Sequence, residues 1–367
     1  MKIKRTRLVI MSFIAGLTVL AGLTVPALAN SPKSVPETIN GLPVIYVEKH
    51  ENTASLADGR RVFIVLDNIS SSYEDSHKLF SSKIEELKSI LGDGDSIRVV
   101  GGPNASKEKY LQAHEKKEAF FQEYGDTLVP PRPVVESSEF ELYPMATTSD
   151  HTFAIVANMD EDHSITVKGI RSEMAGITVG DDQTSYSFFI TNGETDDDYF
   201  LQSGQRYNLN GTGEHIYYVN DGHGYVVYDE YSMDYDNTHD YRYEIKNVAS
   251  GYWLLNVTDL DTSDYEYYIE NTGSGVELVA TKSTSVFFEN YNSNANWFYG
   301  FPYYVSAHDA RIYNGYNWVD WSYEQISICG GVSQCGWNND GKISGELVDD
   351  GTALWDLTEL LLANTTY

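Results

Sequence analysis

Two polar residues in aromatic, strand-like runs have side chains suited to metal-free hydrolysis. Glu289 lies in STSVFFENYNSNANWF and Gln202 in DYFLQSGQRYN. A Glu carboxylate can polarise a water molecule for attack on a peptide carbonyl. A Gln amide can donate a hydrogen bond to the resulting oxyanion and is neutral at any pH. By strand alternation Glu289 shares a face with Phe287 and Tyr291, so it sits in an aromatic cleft or is a buried acid with a partner. Both residues also fit ordinary polar positions on sheet faces. Rival chemistries lack their signatures: there is no GxSxG elbow, HExxH, Walker loop or Rossmann fingerprint in a strand–helix context. The nine His show no metal-ligand spacing, and His215 and His223, in neighbouring polar segments, read as surface residues. Carboxylate clusters at Glu194–Asp198, Asp234–Asp236 and Asp259–Asp264 have the composition of hard-cation loops. The segment GWNNDGKISGEL carries Asn338, Asp340 and Gly341 of a calcium loop. Gly336 cannot ligate, however, and Leu347 stands where a Glu would close the loop. It reads as an Asn/Asp/Gly turn, with no metal and no cofactor expected.

The elements that must carry these residues fall into distinct stretches. Residues 1–29 begin with Lys2, Lys4, Arg5 and Arg7, continue through an apolar run and end in Ala27-Leu28-Ala29, the pattern of a cleaved signal peptide. Export is therefore expected, with the protein secreted or at the cell surface and not in the membrane after cleavage. In that setting Cys329 and Cys335 pair across the short loop CGGVSQC. Sequons at Asn68, Asn104, Asn210, Asn256 and Asn364 are candidate glycan acceptors.

Residues 30–128 read as a small α/β domain. LPVIYVEKH, RRVFIVLDN and SIRVVGG are strands. Leu79, Ile84, Leu87 and Ile90 recur at helical spacing across 72–91, and SKEKYLQAHEKKEAFFQEYG is a charged helix ending at Gly125. Residues 129–144, with Pro130, Pro131 and Pro133, are an extended linker. Residues 145–367 hold short Tyr-, Phe- and Val-rich runs between Asp/Asn/Gly turns, the pattern of an antiparallel β-sandwich. The runs include TSYSFFIT, DYFLQSGQRY, EHIYYVN, GYVVYDEY, DYRYEIKN, GYWLLNVT, YEYYIEN, GVELVAT and TSVFFENY. Only ALWDLTELLLA, near the end, reads as helical.

The order of these motifs resembles the eqolisin-type glutamic peptidases, and more weakly the neprosin-like glutamic enzymes, over roughly residues 145–325. Leu201-Gln202-Ser203-Gly204 is similar to the family's LQTG strand. Gly224–Ile245 is similar to its Tyr/Trp/Glu-rich hairpin. SVFFEN is similar to the strand bearing two acids four residues apart, with Glu289 at the second acid and Ser285 at the first. The resemblance implies a concanavalin-like, jelly-roll sandwich with a concave active face, Gln202 and Glu289 as the catalytic pair, and Tyr228, Glu230 and Tyr231 near the cleft rim. It also implies a protein or peptide substrate, and a removable propeptide at the position and size of residues 30–140. The acid that Ser285 replaces separates this chain from the family pattern.

The charge bounds the partners. The 367 residues include 54 acidic and 25 basic, a formal net charge of −29. That excludes a nucleic-acid binder and argues against docking on anionic lipid. Residues 30–144 carry −6 and residues 145–367 carry −27. Self-repulsion in the second stretch is relieved near pH 4, or by salt, so an acidic or saline environment fits. Basic residues of the N-terminal stretch, docked on the acidic C-terminal one, would release when carboxylates protonate. Two other functions remain open: a non-catalytic sandwich binding glycans through residues such as Trp297, Trp318 and Trp321, or a structural surface protein.

Overall fold

The computed structural model describes residues 35–50, 60–90, 95–124, 150–157, 166–176, 186–196, 199–207, 213–220, 226–272, 275–278, 284–291, 304–320, 326–329, 344–349 and 352–356. The expected signal peptide, the 129–144 linker, Asn210, His223, Trp297, Trp321, Cys335, the Asn338–Gly341 turn and Asn364 lie outside them.

The α/β stretch runs β1 (Thr38–Ile39), β2 (Leu42–His50), β3 (Arg60–Asp67), α1 (Tyr73–Ser81), α2 (Ile84–Ile90), β4 (Ser96–Gly101) and α3 (Lys107–Tyr124). Asn40 and Gly41 both have positive φ, giving the tight two-residue turn that pairs Ile39 with Leu42. β3 and β4 are parallel, so the helices form the crossover between them. The single helix expected over 72–91 is two helices. Ser82 ends α1, with its N–H donating to the Lys78 and Phe80 carbonyls and its hydroxyl donating to the Leu79 carbonyl. Serine side chains that bond the backbone in this way compete with helix continuation.

The β-rich stretch supplies β5 (Asp150–Ala157), β6 (Gly169–Ala175), β7 (Tyr186–Glu194), β8 (Phe200–Tyr207), β9 (Gly213–Asn220), β10 (Val226–Glu230), β11 (Asp240–Ala249) and β12 (Tyr252–Asp259). It continues with β13 (Tyr265–Asn271), β14 (Ser285–Tyr291), β15 (Tyr304–Tyr313), β16 (Trp318–Asp320), β17 (Ile326–Cys329), β18 (Ser344–Asp349) and β19 (Thr352–Asp356). They form two sheets. The larger runs β1-β2-β3-β4-β13-β12-β11-β6-β15-β19-β18, with β16 beside β15; the smaller runs β10-β9-β8-β7-β14-β5-β17. Every described pairing except β3–β4 is antiparallel, and the antiparallel sandwich expected for the C-terminal region is present.

Three expectations change. First, β4 pairs with β13, so the α/β stretch shares a sheet with the β-rich stretch, and Glu37–Tyr367 forms one compact unit. Second, β10 and β11 are not a hairpin. β10 pairs with β9 at the edge of the small sheet, while β11 lies between β6 and β12 in the large one. The Asp/Asn-rich segment between them crosses from sheet to sheet. Third, Ala353–Asp356, the start of the run expected to be helical, belongs to the strand β19 between β15 and β18, where ladder hydrogen bonds outweigh helical propensity. Among the described residues 275–278 of GVELVAT, Leu278 forms a single bridge to Thr195.

The core lies between the sheets, where Leu201, Val219, Tyr217, Tyr243, Trp253 and Leu255 pack together. A second core, on the far side of the large sheet, packs α1 and α2 against β3, β4, β12 and β13. β12 and β13 are thus covered on both faces, and they and β8 of the small sheet are buried almost throughout. Asn256, in β12, is fully buried and donates to the Thr258 hydroxyl, so this sequon is closed in the folded protein, whereas Asn68 and Asn104 are exposed. Gly204 is fixed by close approach: a Cβ there would collide with the Phe189 carbonyl and sit 2.8 Å from the Ile190 Cα. Gly204→Ala is expected to lower unfolding free energy by about 1–3 kcal/mol in urea titration, as overpacking does.

Candidate functional site

Register across the small sheet sets the site. Gln202 in β8 pairs with Asn192 in β7, which pairs with Ser285 in β14. Four residues further along β14, Glu289 pairs with Phe188, which pairs with Arg206 of β8. Even spacing places Ser285 and Glu289 on one face, together with Asn192, Phe188, Gln202 and Arg206. The alternate residues face the large sheet. The Ser203 hydroxyl donates to the Asn256 carbonyl, and Thr191 and Ser172 share a hydroxyl contact of 2.5 Å. The face carrying Gln202 therefore looks away from the large sheet.

On that face the side chains form a relay. The Gln202 amide Nε2 donates to Asn192 Oδ1 at 3.0 Å, and Asn192 Nδ2 donates to Ser285 Oγ at 3.4 Å. All three residues are buried, so their polar atoms need these partners. Ser285, at the position of the acid it replaces, thus serves as the neutral end of a hydrogen-bond row. Each amide nitrogen has two donors, and Asn192 occupies one of those on Gln202. Buried Arg206 pairs with Glu214 of β9, its Nε 3.0 Å from Glu214 Oε2.

The other expected site residues separate. Tyr228 and Glu230 lie on the edge strand β10, at register positions opposite Tyr218 and Ile216, on the same face as Gln202. Tyr231 turns the other way. It is buried, shares a hydroxyl contact of 2.9 Å with Ser203 and packs its ring 5.1 Å from Tyr217. It belongs to the inter-sheet core, not to a rim. Cys329 ends β17 opposite Ala154.

Asn192 and Arg206 are missed by sequence reasoning. Asn192-Gly193 reads as a turn at the end of TSYSFFIT, yet β7 continues through it. The available signal is the density of polar residues in β8, since a buried strand must satisfy every one of them. His215, read as a surface residue, is also buried. Its Nδ1 lies 2.6 Å from the Tyr243 hydroxyl, and its ring packs against Tyr241 and Tyr235.

A cavity of about 230 Å³ opens elsewhere, where α3 meets the β10–β11 and β12–β13 connections. Lys109, Tyr110, Asp234, Asp236, His239 and Asp264 are among its lining residues. His239, Asp259 and Asp261 bring donor atoms within 4.8 Å of one another there. Burial pushes the Asp259 carboxyl up, but hydrogen bonds from Thr262, His239 and Asp261 outweigh it and hold the group below its usual range. The hydrogen bond to Asp259 in turn raises His239. Asp259 is thus engaged by the donors of its own turn and by His239.

No known family profile and no curated protein matches this chain. Among solved structures, the chain is similar to a scytalido-glutamic peptidase with a transition state analog inhibitor, with a TM-score of 0.40, 15% identity, and coverage of 57% of this chain and 98% of that one. It is similar to SCP-B, a member of the Eqolisin family in a complex with the tripeptide Ala-Ile-His, at a TM-score of 0.38, 14% identity, and coverage of 57% and 98%. Galectin-Ib of Xenopus laevis gives a TM-score of 0.24, 11% identity, and coverage of 44% and 99%. Likenesses of this size transfer no residue roles to the chain.

The buried histidine has a pH consequence. Burial pushes His215 down to about 3, and the Asp259 charge and the Asp234 backbone offset this only in part. The folded chain therefore stays neutral at His215 while the unfolded chain takes up a proton below about 6.5. Stability is full above that value and falls as pH drops toward 3. His215→Phe is expected to flatten this slope in urea titrations between pH 7 and 4, even if its stability at pH 7 is lower. An unchanged slope would show that His215 is not the group responsible.

Proposed function

We propose that the chain is a secreted endopeptidase of the glutamic type, with an unfolded protein or peptide as substrate, Glu289 as general base and Gln202 as oxyanion donor. The observation that carries this reading is the Gln202–Asn192–Ser285 row, on the same sheet face whose register includes Glu289. The relay fixes the Gln202 amide and leaves its second N–H to donate. In the reaction Glu289 takes a proton from water as the water oxygen bonds to the scissile carbonyl carbon. The carbonyl oxygen becomes an oxyanion that accepts from Gln202. The carbon–nitrogen bond then breaks as the proton passes from Glu289 to the leaving amine. No cofactor enters these steps.

The charge supports a mildly acidic working range, because residues 145–367 carry a net −27 that protonation relieves. Buried, neutral His215 bounds that range from below. The signal-like residues 1–29 support export.

Cleavage of an unfolded protein, followed by mass spectrometry at about pH 3.5 and pH 7, tests the reading on either side of the carboxyl range. Glu289→Gln is expected to lower kcat about 10²–10⁴-fold, and Gln202→Ala about 10²–10³-fold. Cleavage unaffected by Glu289→Gln, or no cleavage at either pH, would contradict it.

One observation favours polysaccharide binding as a second reading. Tyr316, at the β15–β16 turn, is 88% exposed, close to partly buried Tyr313 and Trp318. Against it, Tyr313 and Trp318 already face Lys246 and Arg171 within the fold, at 4.2 and 5.0 Å. Retention on insoluble polysaccharide that Tyr316→Ala abolishes would favour this reading.

A further inference from the structure

We propose that residues 37–124 are a permanent part of the working protein, held on an interaction surface made by the outer face of β12–β13 and the edge of β13. Removing the segment would leave the surface beneath it incomplete. β4 hydrogen-bonds along β13 from Gly101–Tyr265 to Ile97–Ile269, so without the segment β13 becomes a bare edge. The outer face of the same strands presents Leu254, Tyr265, Tyr267 and Ile269, all buried. Their cover comes from the segment: Tyr73 and Phe80 of α1 set their rings 5.8 and 5.9 Å from Tyr267, and Ile97 and Val99 pack beside them. Gly101 makes room for the Tyr265 ring, since a Cβ there would collide with it.

The inner face is incomplete in a second way. Glu266 is about 1% exposed, and the Arg98 guanidinium of β4 lies 3.1 Å from it as an ion pair. Its other oxygen accepts from the Ser232 N–H and hydroxyl. Two further carboxylates of the β-rich stretch take donors from the segment: Glu270 from the Ser96 hydroxyl and Glu244 from the Tyr73 hydroxyl. In the opposite direction Asp67 accepts from the Tyr265 hydroxyl, and Ser76 meets the Tyr267 hydroxyl at 2.9 Å. Apolar burial and enclosed polar pairs hold the seam. The exposed ion pairs across it, Lys116–Asp234 and Arg242–Glu74, are peripheral. Such a seam resists salt, unlike docking by surface charge.

The test uses the full exported chain with a protease site introduced between residues 125 and 149. After cutting, the two fragments are expected to co-elute and to appear as one species in native mass spectrometry at pH 7, in low salt and at about 1 M salt, where surface charges are screened within ~3 Å. Denaturation should separate them. Elution of the β-rich fragment alone, with the thermal transition of the intact protein, would overturn the proposal. The uncut exported protein gives an independent reading. Its intact mass should include residues 37–124, either in the same chain or as a co-purifying fragment. A folded exported species that lacks them would equally overturn it.

Discussion

The structure turns on a charge pair that neither half of the chain could bury by itself. Arg98 of β4 and Glu266 of β13 lie on adjacent strands, both almost fully enclosed, on the face that looks across to the small sheet. The Arg98 guanidinium donates to the Tyr217 hydroxyl at 3.2 Å and lies 5.4 Å from the Tyr217 ring centre. Tyr217 stacks in turn on Tyr268 and touches Tyr231. One arginine thus ties the α/β stretch, the large sheet and the small sheet together. Such a pair adds little net stability compared with an apolar replacement, but losing one partner leaves a buried charge at a cost of about 3–5 kcal/mol. Its effect is to make the three layers interdependent.

The same interdependence positions the candidate site. β8 carries Gln202 on one face and its neighbour Ser203 on the other. Ser203 is anchored across the core to the Asn256 carbonyl and beside the Tyr231 hydroxyl. Gly204 lets β7 approach closely enough for Asn192 to stand beside Gln202. The four residues of LQSG therefore divide the work between them. Leu201 fills the core, Ser203 ties the sheets, Gly204 sets the spacing, and Gln202 holds its amide in the relay. Ser285 completes that relay as a neutral hydroxyl, so the row needs no second acid to be internally satisfied.

Much of this architecture is legible in the residues. The β-branched and aromatic runs at 42–50, 60–67 and 96–101 are strands, and the alternating Tyr-rich runs between 186 and 271 form the sandwich. What is not legible comes from non-local pairing. Nothing in SIRVVGG shows that it will pair with YEYYIEN some 170 residues later, so the α/β stretch reads as a separate domain. The resemblance implies a hairpin over Gly224–Ile245, yet its two strands find their partners in different sheets. ALWD reads as helix because its strand state depends on β15 and β18. At the site, Gln202 is visible as a polar residue in a strand-like run, while Asn192 is hidden by an Asn-Gly pair that usually marks a turn. Tyr231 and His215 escape a sequence reading for a common reason. Polar-tipped rings suit a surface, but here the Tyr231 hydroxyl and the His215 Nδ1 have partners inside the core.

Hydrogen exchange measured by mass spectrometry on the intact protein, across a series of low urea concentrations, tests whether residues 37 onward fold as one interdependent unit. Peptides covering β4, β13 and β8 should lose protection together, with the urea dependence of global unfolding. Loss of protection in α1, α2 and β4 in a separate, earlier step, with β13 and β8 still protected, would contradict that interdependence.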